Sequence, residues 1–266
     1  MIIKGRARRA LPFWFVAVIK KELKIFSRTV RYYEAGDGPA IILVHGAGAT
    51  GRLWHRQMGP LSQGFRVIAP DLPGFGGTDL FPEVRRVRDF AMFIAQFMDA
   101  LGLQRASLVG SSMGGWASCW FALDFPDRLD KLVLISPAGL YSGDNPPMSV
   151  PEVVEELRRY YLAAPQLQEG IMIKPGDELN RAVETISGLD AAGGFVPDLT
   201  GRLGDIKSKT LTIWGSDDRV IPAAYLRGFK EGINGSSAEL LNGAGHLCFV
   251  ERAEEVNALI LGFLSA

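Results

Sequence analysis

Gly110-Ser111-Ser112-Met113-Gly114 sets a serine midway between two glycines, directly after the apolar pair Leu108-Val109 and just before a helical pattern. A serine on so tight a strand-to-helix turn has its hydroxyl lifted out of the sheet, and small neighbours keep the strained backbone free of clashes. The helix N-terminus that follows offers unpaired N–H groups to a developing oxyanion. The chemistry this arrangement suits is nucleophilic attack by Ser112. A hydroxyl is a weak nucleophile near neutral pH, so it needs a base within reach and a third group to orient that base.

The chain has three histidines. His45 opens His45-Gly46-Ala47-Gly48 immediately after a predicted strand, and His55 lies at a predicted helix start beside Trp54. His246 closes the glycine-rich loop Gly243-Ala244-Gly245-His246, which follows a predicted strand over Ala238 to Leu241. Only His246 combines a flexible loop, a strand carboxyl end and a place downstream of Ser112, so it is the candidate base. The acid is expected from a strand end between the two, where Asp217 and Asp218 stand side by side, and their spacing alone does not choose between them. The order serine, acid, histidine matches a known triad order. The loop at His45 reads as a tight turn and also as a source of backbone donors. Ala47 and Met113 N–H groups form the candidate oxyanion hole, where one lost donor costs on the order of 3 kcal/mol.

The elements that must position these groups follow from apolar periodicity. Leu23 to Tyr33, rich in β-branched and aromatic residues, is expected to pair across the Gly36-Asp37-Gly38 turn with a buried strand over Ala40 to Val44. Further short apolar strands are read at Arg66 to Ala69, Ala106 to Val109, Lys131 to Ile135, Thr210 to Trp214 and Ala238 to Leu241. Helical spacing covers Val87 to Leu101, Trp116 to Leu123 and a C-terminal stretch from about Ala253. Continuous apolar strands alternating with helices predict an α/β fold, a mainly parallel sheet covered on both faces. Its reactive loops then gather at the strand carboxyl ends. The alternation lapses from Gly139 to about Ser208. Ser149-Val150-Pro151-Glu152 resembles a capping box at the start of one helix, and a second is expected from Asp177 to a stop at Gly188. Leu179, Ala182, Val183 and Ile186 are expected on its buried face. Residues 140–208 are expected to form a helical lid over the strand ends, with padding of the sheet edge as the other reading.

Composition excludes several classes. Lys+Arg 29 balance Asp+Glu 29, so no global field favours nucleic acid. Hydrophobic content of 47% with 22% charged residues supplies a core for one domain. Cys119 and Cys248 make neither a disulfide framework nor a metal pair, which suits a cytoplasmic setting. No metal or organic cofactor is implied. Residues 1–21 form a basic, then apolar extension: Lys4, Arg6, Arg8 and Arg9 precede Ala10 to Ile19, and Lys20-Lys21 close it. No small-x-small cleavage site follows the apolar run, which is well short of the ~20 residues that span a bilayer. It reads as a leader or first strand packed on the domain, or as a weak membrane-surface anchor through residues 10–19 with Trp14 and Phe15 at the lipid.

The chain resembles the α/β-hydrolase family from about residue 22 onward. The resemblance rests on His-Gly-x-Gly at 45–48, Asp71-x-x-Gly74-x-Gly76, Gly-x-Ser-x-Gly at 110–114, Gly-x-x-Asp-x-x-x-Pro at 215–222 and Gly245-His246. It implies an eight-stranded-type sheet, a core of residues 22–139 and 209–266, and a lid after the sixth family strand. It also implies Asp218 rather than Asp217 as the acid, and supports Ala47 and Met113 as donors. Ser112 argues against branches with an aspartate nucleophile. Gly-Ser-Ser-Met-Gly-Gly and Ser136-Pro137-Ala138-Gly139-Leu140 are similar to carboxylesterases and monoacylglycerol-lipase-type enzymes, which implies a carboxylic ester with an apolar acyl or aromatic part and an acyl-enzyme. Two alternatives stand beside this. Carbon–carbon hydrolases of aromatic ring-cleavage products share the length and lid, although they usually carry Asn before the serine and Trp soon after the histidine, where this chain has Ser111, Leu247 and Cys248. A non-catalytic ligand receptor on the same fold is the other.

Overall fold

The computed structural model describes residues 17–141, 151–152 and 177–266. Its strands are β1 (Ile19–Ile25), β2 (Arg28–Ala35), β3 (Ala40–Val44), β4 (Arg66–Pro70), β5 (Ala106–Ser111), β6 (Leu129–Ile135), β7 (Lys209–Gly215) and β8 (Ser237–Leu241). They form one sheet in the order β1-β2-β4-β3-β5-β6-β7-β8. From β4 to β8 every pairing is parallel, while β1–β2 and β2–β4 are antiparallel. Successive side chains on the central strands point to opposite faces. Ile42, Val44, Leu108, Leu132 and Leu134 enter one apolar cluster, and Ile41, Leu43, Val109, Val133 and Ile135 enter the other. A strand buried on both sides must be apolar at every position, and all five residues of β3 are buried.

The helices α1 (His55–Leu61), α2 (Asp89–Ala100), α3 (Met113–Asp124), α4 (Asp177–Ala191), α5 (Tyr225–Gly232), α6 (Cys248–Glu251) and α7 (Ala253–Ser265) cover the two faces. The face that takes Ile42 packs on α2, α3 and α5, and the opposite face packs on α1 and α7. Helix α3 is buried at every position from Met113 to Ala122, which accounts for its lack of a polar stripe. Cys119 lies in that buried run, as its apolar surroundings in the sequence suggest.

Two expectations about pairing and extent are corrected. The N-terminal hairpin is β1–β2, turning at Phe26-Ser27, and β2 joins β4 rather than β3. The turn carries no sequence signal because Phe26 itself takes the left-handed conformation, with φ 53°, a role glycine or asparagine usually fills. Helix α4 runs through Gly188 to Ala191. A mid-helix glycine costs about 1 kcal/mol, and burial of Leu189 one residue later offsets it. Gly193, at φ 65°, makes the turn that ends the helix. Ala182 and Ile186 are buried on α4, whereas Val183 is exposed. The expected helix beginning at Ser149 lies mostly outside the described residues, apart from Pro151 and Glu152, which are helical. Most of the N-terminal extension also lies outside them, and the sheet begins at Ile19, ahead of the expected core boundary.

Helix α4 rests on the loop that follows β4. Arg181 donates through Nη2 to the Gly76 carbonyl at 2.6 Å, and Glu178 pairs with both Arg31 and Arg52. The far end of the β6–β7 connection is tied to α3. Trp116 Nε1 and Trp120 Nε1 both donate to Asp198 Oδ1, each at 2.8 Å, and Leu199 N–H donates to the Gly139 carbonyl at 3.0 Å. The two ends of that connection therefore meet on the helix that begins behind Ser112.

Candidate active site

Ser112 stands between β5 and α3 with φ 55° and ψ −123°. Residues with a side chain rarely take that conformation, and it persists because the surroundings over-determine it. Ser112 N–H donates to the Ile135 carbonyl, and its own carbonyl accepts from Trp116 and Ala138. The flanking glycines are demanded by close approach. A Cβ on Gly110 would lie 2.5 Å from the Gly114 carbonyl oxygen, and one on Gly114 would lie 2.2 Å from that of Val44. The five-residue motif is thus a packing requirement of a backbone folded tightly against β3.

The loop after β3 lies against the serine. A Cβ on Gly46 would come within 2.9 Å of Ser112 Cβ and 3.4 Å of its Oγ. Ala47 is the next residue, and Met113 opens α3. Among the described residues neither N–H meets a backbone acceptor. His45, which begins this loop, is fully buried. Its Nε2 accepts the Leu72 N–H at 2.9 Å, so the ring proton sits on Nδ1, which donates to the Gly46 carbonyl at 2.8 Å. His45 thereby fastens the Gly46 turn and has no free nitrogen for proton transfer. His55 is exposed, with Nδ1 beside the Leu53 carbonyl.

His246 and Asp218 meet as a buried pair, Nδ1 to Oδ2 at 2.8 Å. Asp218 Oδ1 accepts the N–H groups of Val220 and Ile221, each at 2.9 Å. The carboxylate is held from three sides. With Nδ1–H given to the carboxylate, Nε2 of His246 keeps its lone pair. Asp217 turns away and accepts the Ser216 hydroxyl at 2.7 Å. That is neither of the roles its position suggests, a helix cap or a partner for Arg219. Ser112, Asp218 and His246 follow β5, β7 and β8, so all three leave the same carboxyl edge of one sheet.

Residues without a signature in the sequence brace the loops that carry Asp218 and His246. Ser216 Oγ accepts the Gly243 N–H, Asp217 N–H donates to the Ala244 carbonyl, and Glu251 accepts the Gly245 N–H at 2.8 Å. A Cβ on Gly215 would sit 2.3 Å from the Ala244 carbonyl oxygen, so the glycine before the Asp218 loop is required by the His246 loop beside it. Ser136, at the end of β6, is buried with φ 42°, a second strained non-glycine residue at this edge. Among the described residues, no group of three His, Cys, Asp or Glu side chains is placed to hold a metal ion.

Asp71 explains the Asp71-x-x-Gly74-x-Gly76 pattern. Its Oδ1 accepts from Gly51 and its Oδ2 from Gly77, and a Cβ on Gly76 would come 2.2 Å from Oδ2. Burial raises its pKa to about 6, against the lowering effect of those N–H groups and of Arg31 and Arg52. Burial drives His45 the other way, from 6.5 to about 4. The unfolded chain therefore protonates its histidine first, and stability is lost as pH falls from 6.5 to about 4. For Asp71 the folded state takes up the proton first, so stability is gained as pH falls from about 6 to 3.8. The two contributions oppose each other in one pH window. In Asp71→Asn the compensation is lost, and the melting temperature is expected to fall more steeply between pH 6 and 4 than in the parent. Parallel profiles for the two proteins would refute the compensation.

Residues 39–175 match the family described as the alpha/beta hydrolase fold. The chain belongs to that family, and the strand order and the elbow carry its architecture. Across 94% of its length it is 34% identical to the 2-hydroxy-6-oxo-6-phenylhexa-2,4-dienoate hydrolase of Comamonas testosteroni, covering 95% of that protein. It is 32% identical to a 2-hydroxy-6-oxononadienedioate/2-hydroxy-6-oxononatrienedioate hydrolase of the same organism, over 94% of this chain and 96% of the other. A solved structure of a thermophilic esterase from Thermogutta terrifontis is 28% identical, with a TM-score of 0.69, covering 94% of this chain and 98% of that one. The chain is a hydrolase of this fold.

Proposed function

We propose that the chain hydrolyses the carbon–carbon bond next to the 6-oxo group of a 2-hydroxy-6-oxo-2,4-dienoate, with Ser112 as nucleophile, His246 as base, Asp218 as orienting acid and the Ala47 and Met113 N–H groups as oxyanion hole. The geometric support is the buried Asp218–His246 hydrogen bond on the sheet edge that also carries the strained Ser112. The choice of bond is supported by the relatives, which match almost end to end and whose names specify dienoate hydrolysis.

A carbon leaving group needs an electron sink. When the 2-hydroxydiene ketonises, a proton adds to C5 and the 2-oxo group becomes able to accept the electron pair of the C5–C6 bond. Ser112 Oγ then bonds to C6 while His246 Nε2 takes its proton, and the negative charge on the C6 oxygen faces the two backbone donors. Collapse breaks C5–C6, the electron pair passes to the 2-oxygen, and the proton held on His246 is returned to it, so that the 2-hydroxydienoate leaves, His246 is neutral again and an acyl-serine remains. Water, deprotonated by His246, releases the acid. In this reading the connection between β6 and β7, to which helix α4 belongs, serves as the lid that selects the acyl and dienoate parts.

Ester hydrolysis is the second reading, favoured by Ser111 and Leu247 at the positions where carbon–carbon hydrolases usually have Asn and Trp. An ester needs no ketonisation, because its alkoxide leaves directly. The 6-phenyl dienoate, assayed by release of benzoate, is expected to give a kcat/KM well above that of any p-nitrophenyl ester from acetate to decanoate. The reverse ranking assigns the site to esters.

A further inference from the structure

We infer that Asp198, near the end of the β6–β7 connection, is a positioning residue that aims the Met113 N–H of the oxyanion hole. Asp198 touches none of the reacting atoms, and its role rests on the reading of Ser112 as nucleophile and Met113 as donor. The Ser112 carbonyl and the Met113 N–H belong to one peptide unit. That unit is planar and trans, so the two groups point in opposite directions, and whatever holds the carbonyl also aims the N–H. The carbonyl accepts two hydrogen bonds, from Trp116 N–H and from Ala138 N–H, each at 3.1 Å. One donor comes from its own helix and the other from the loop after β6.

Both donors are fastened to the same short piece of chain. The Trp116 indole donates through Nε1 to Asp198 Oδ1 at 2.8 Å. Ala138 precedes Gly139, whose carbonyl accepts the Leu199 N–H at 3.0 Å. The bonds close a circuit, from Ser112 through Trp116 to Asp198, along the backbone to Leu199, across to Gly139 and back through Ala138. The circuit has little slack. Gly139 takes φ 104°, and a Cβ there would lie 2.6 Å from Trp116 Cδ1 and 2.7 Å from Leu199 Cδ1. Trp116 and Leu199 are both buried.

Trp120 supplies an internal comparison. Its Nε1 donates to the same Asp198 oxygen at 2.8 Å, and Arg88 lies over its ring, 4.4 Å from the centroid. Its backbone, however, lies roughly two helical turns beyond Ser112, out of reach of that carbonyl. If Asp198 only anchored the connection, the two indole bonds would be equivalent. If it aims the Met113 N–H, the Trp116 bond alone bears on turnover.

The test compares the rate of Ser112 labelling by a fluorophosphonate with kcat and KM for benzoate release. Asp198→Ala and Trp116→Phe are each expected to slow labelling and lower kcat about tenfold, with KM within about twofold of the parent. The loss is smaller than for a missing donor because Asp198 is exposed and water can take its place at an indole. The pH dependence of kcat/KM should not move, since His246 and Asp218 follow other strands. Asp198→Asn, which keeps an oxygen for the indoles, and Trp120→Phe are expected to stay within about threefold of the parent in both readouts. Thermal unfolding well above the assay temperature is the control for folding. A rise in KM alone, equal losses in the two tryptophan variants, or parental labelling of Asp198→Ala overturns the inference. Labelling needs no dienoate, so it decides the matter whichever bond the enzyme cleaves. Labelling that persists in Ser112→Ala removes the nucleophile itself, and the inference with it.

Discussion

Ser112→Ala is expected to lower kcat for benzoate release about a millionfold, the scale seen when a triad nucleophile is removed. The expectation depends on the fold surviving. Ser112 is held at φ 55° by its bonds to Ile135, Trp116 and Ala138 and by the fit of Gly110 and Gly114. Alanine meets the same backbone restriction as serine, and removal of one oxygen from a partly exposed side chain leaves no sizeable cavity. The melting temperature should therefore stay within a few degrees of the parent while turnover collapses. Residual rate above water would come from the Ala47 and Met113 N–H groups and from substrate binding. Covalent labelling by a fluorophosphonate should vanish in the same variant. Labelling at the parental rate would place the nucleophile elsewhere.

Asp218→Asn is expected to cost about four orders of magnitude in kcat, against a change within about threefold for Asp217→Asn, an exposed side chain outside the hydrogen-bond pair. The asymmetry follows from hydrogen-bond polarity. The amide introduced by Asp218→Asn would keep an oxygen for Val220 and Ile221 but present an N–H to His246 Nδ1, where the carboxylate accepts. The imidazole would then carry its proton on Nε2, the atom that has to take the serine proton. The Asp217 carboxylate accepts from the Ser216 hydroxyl on the rim of the loop, and its backbone bond to Ala244 survives the change, so an amide there leaves His246 untouched. Equal losses in the two variants, or a larger one for Asp217→Asn, would move the acid by one residue.

Legibility of this site in the sequence tracks how local each constraint is. The continuous apolar runs of β3, β5 and β6 and the glycines around Ser112 answer to neighbours within a few residues, so their pattern survives in one dimension. The choice between Asp217 and Asp218 depends on a hydrogen bond to a residue on another strand, and in the sequence only the family register points to Asp218. The partner of β2 escapes a linear reading because adjacency in a mainly parallel sheet is set by crossovers, and Phe26 hides the true hairpin turn. Asp198 and the indoles of Trp116 and Trp120 lie far apart in the chain, with no motif joining them. Helical spacing puts Val183 on the buried face of α4, but the stripe that packs is narrower and follows Ala182, Ile186 and Leu189. The bond cleaved is the least local property of all, since it depends on pocket shape rather than on the elbow.

The carboxylate shared by two indoles has an evolutionary consequence. Because Asp198 and the Leu199–Gly139 bond tie both ends of the β6–β7 connection to one helix, the span between them is an exchangeable cassette with fixed attachment points. Doubling the length of such a loop costs only about 0.6 kcal/mol of closure entropy. New cassettes can be grafted there, or drift in sequence, without moving the strand that carries Ser112. A lineage built this way can diversify its substrates while inheriting its catalytic machinery unchanged.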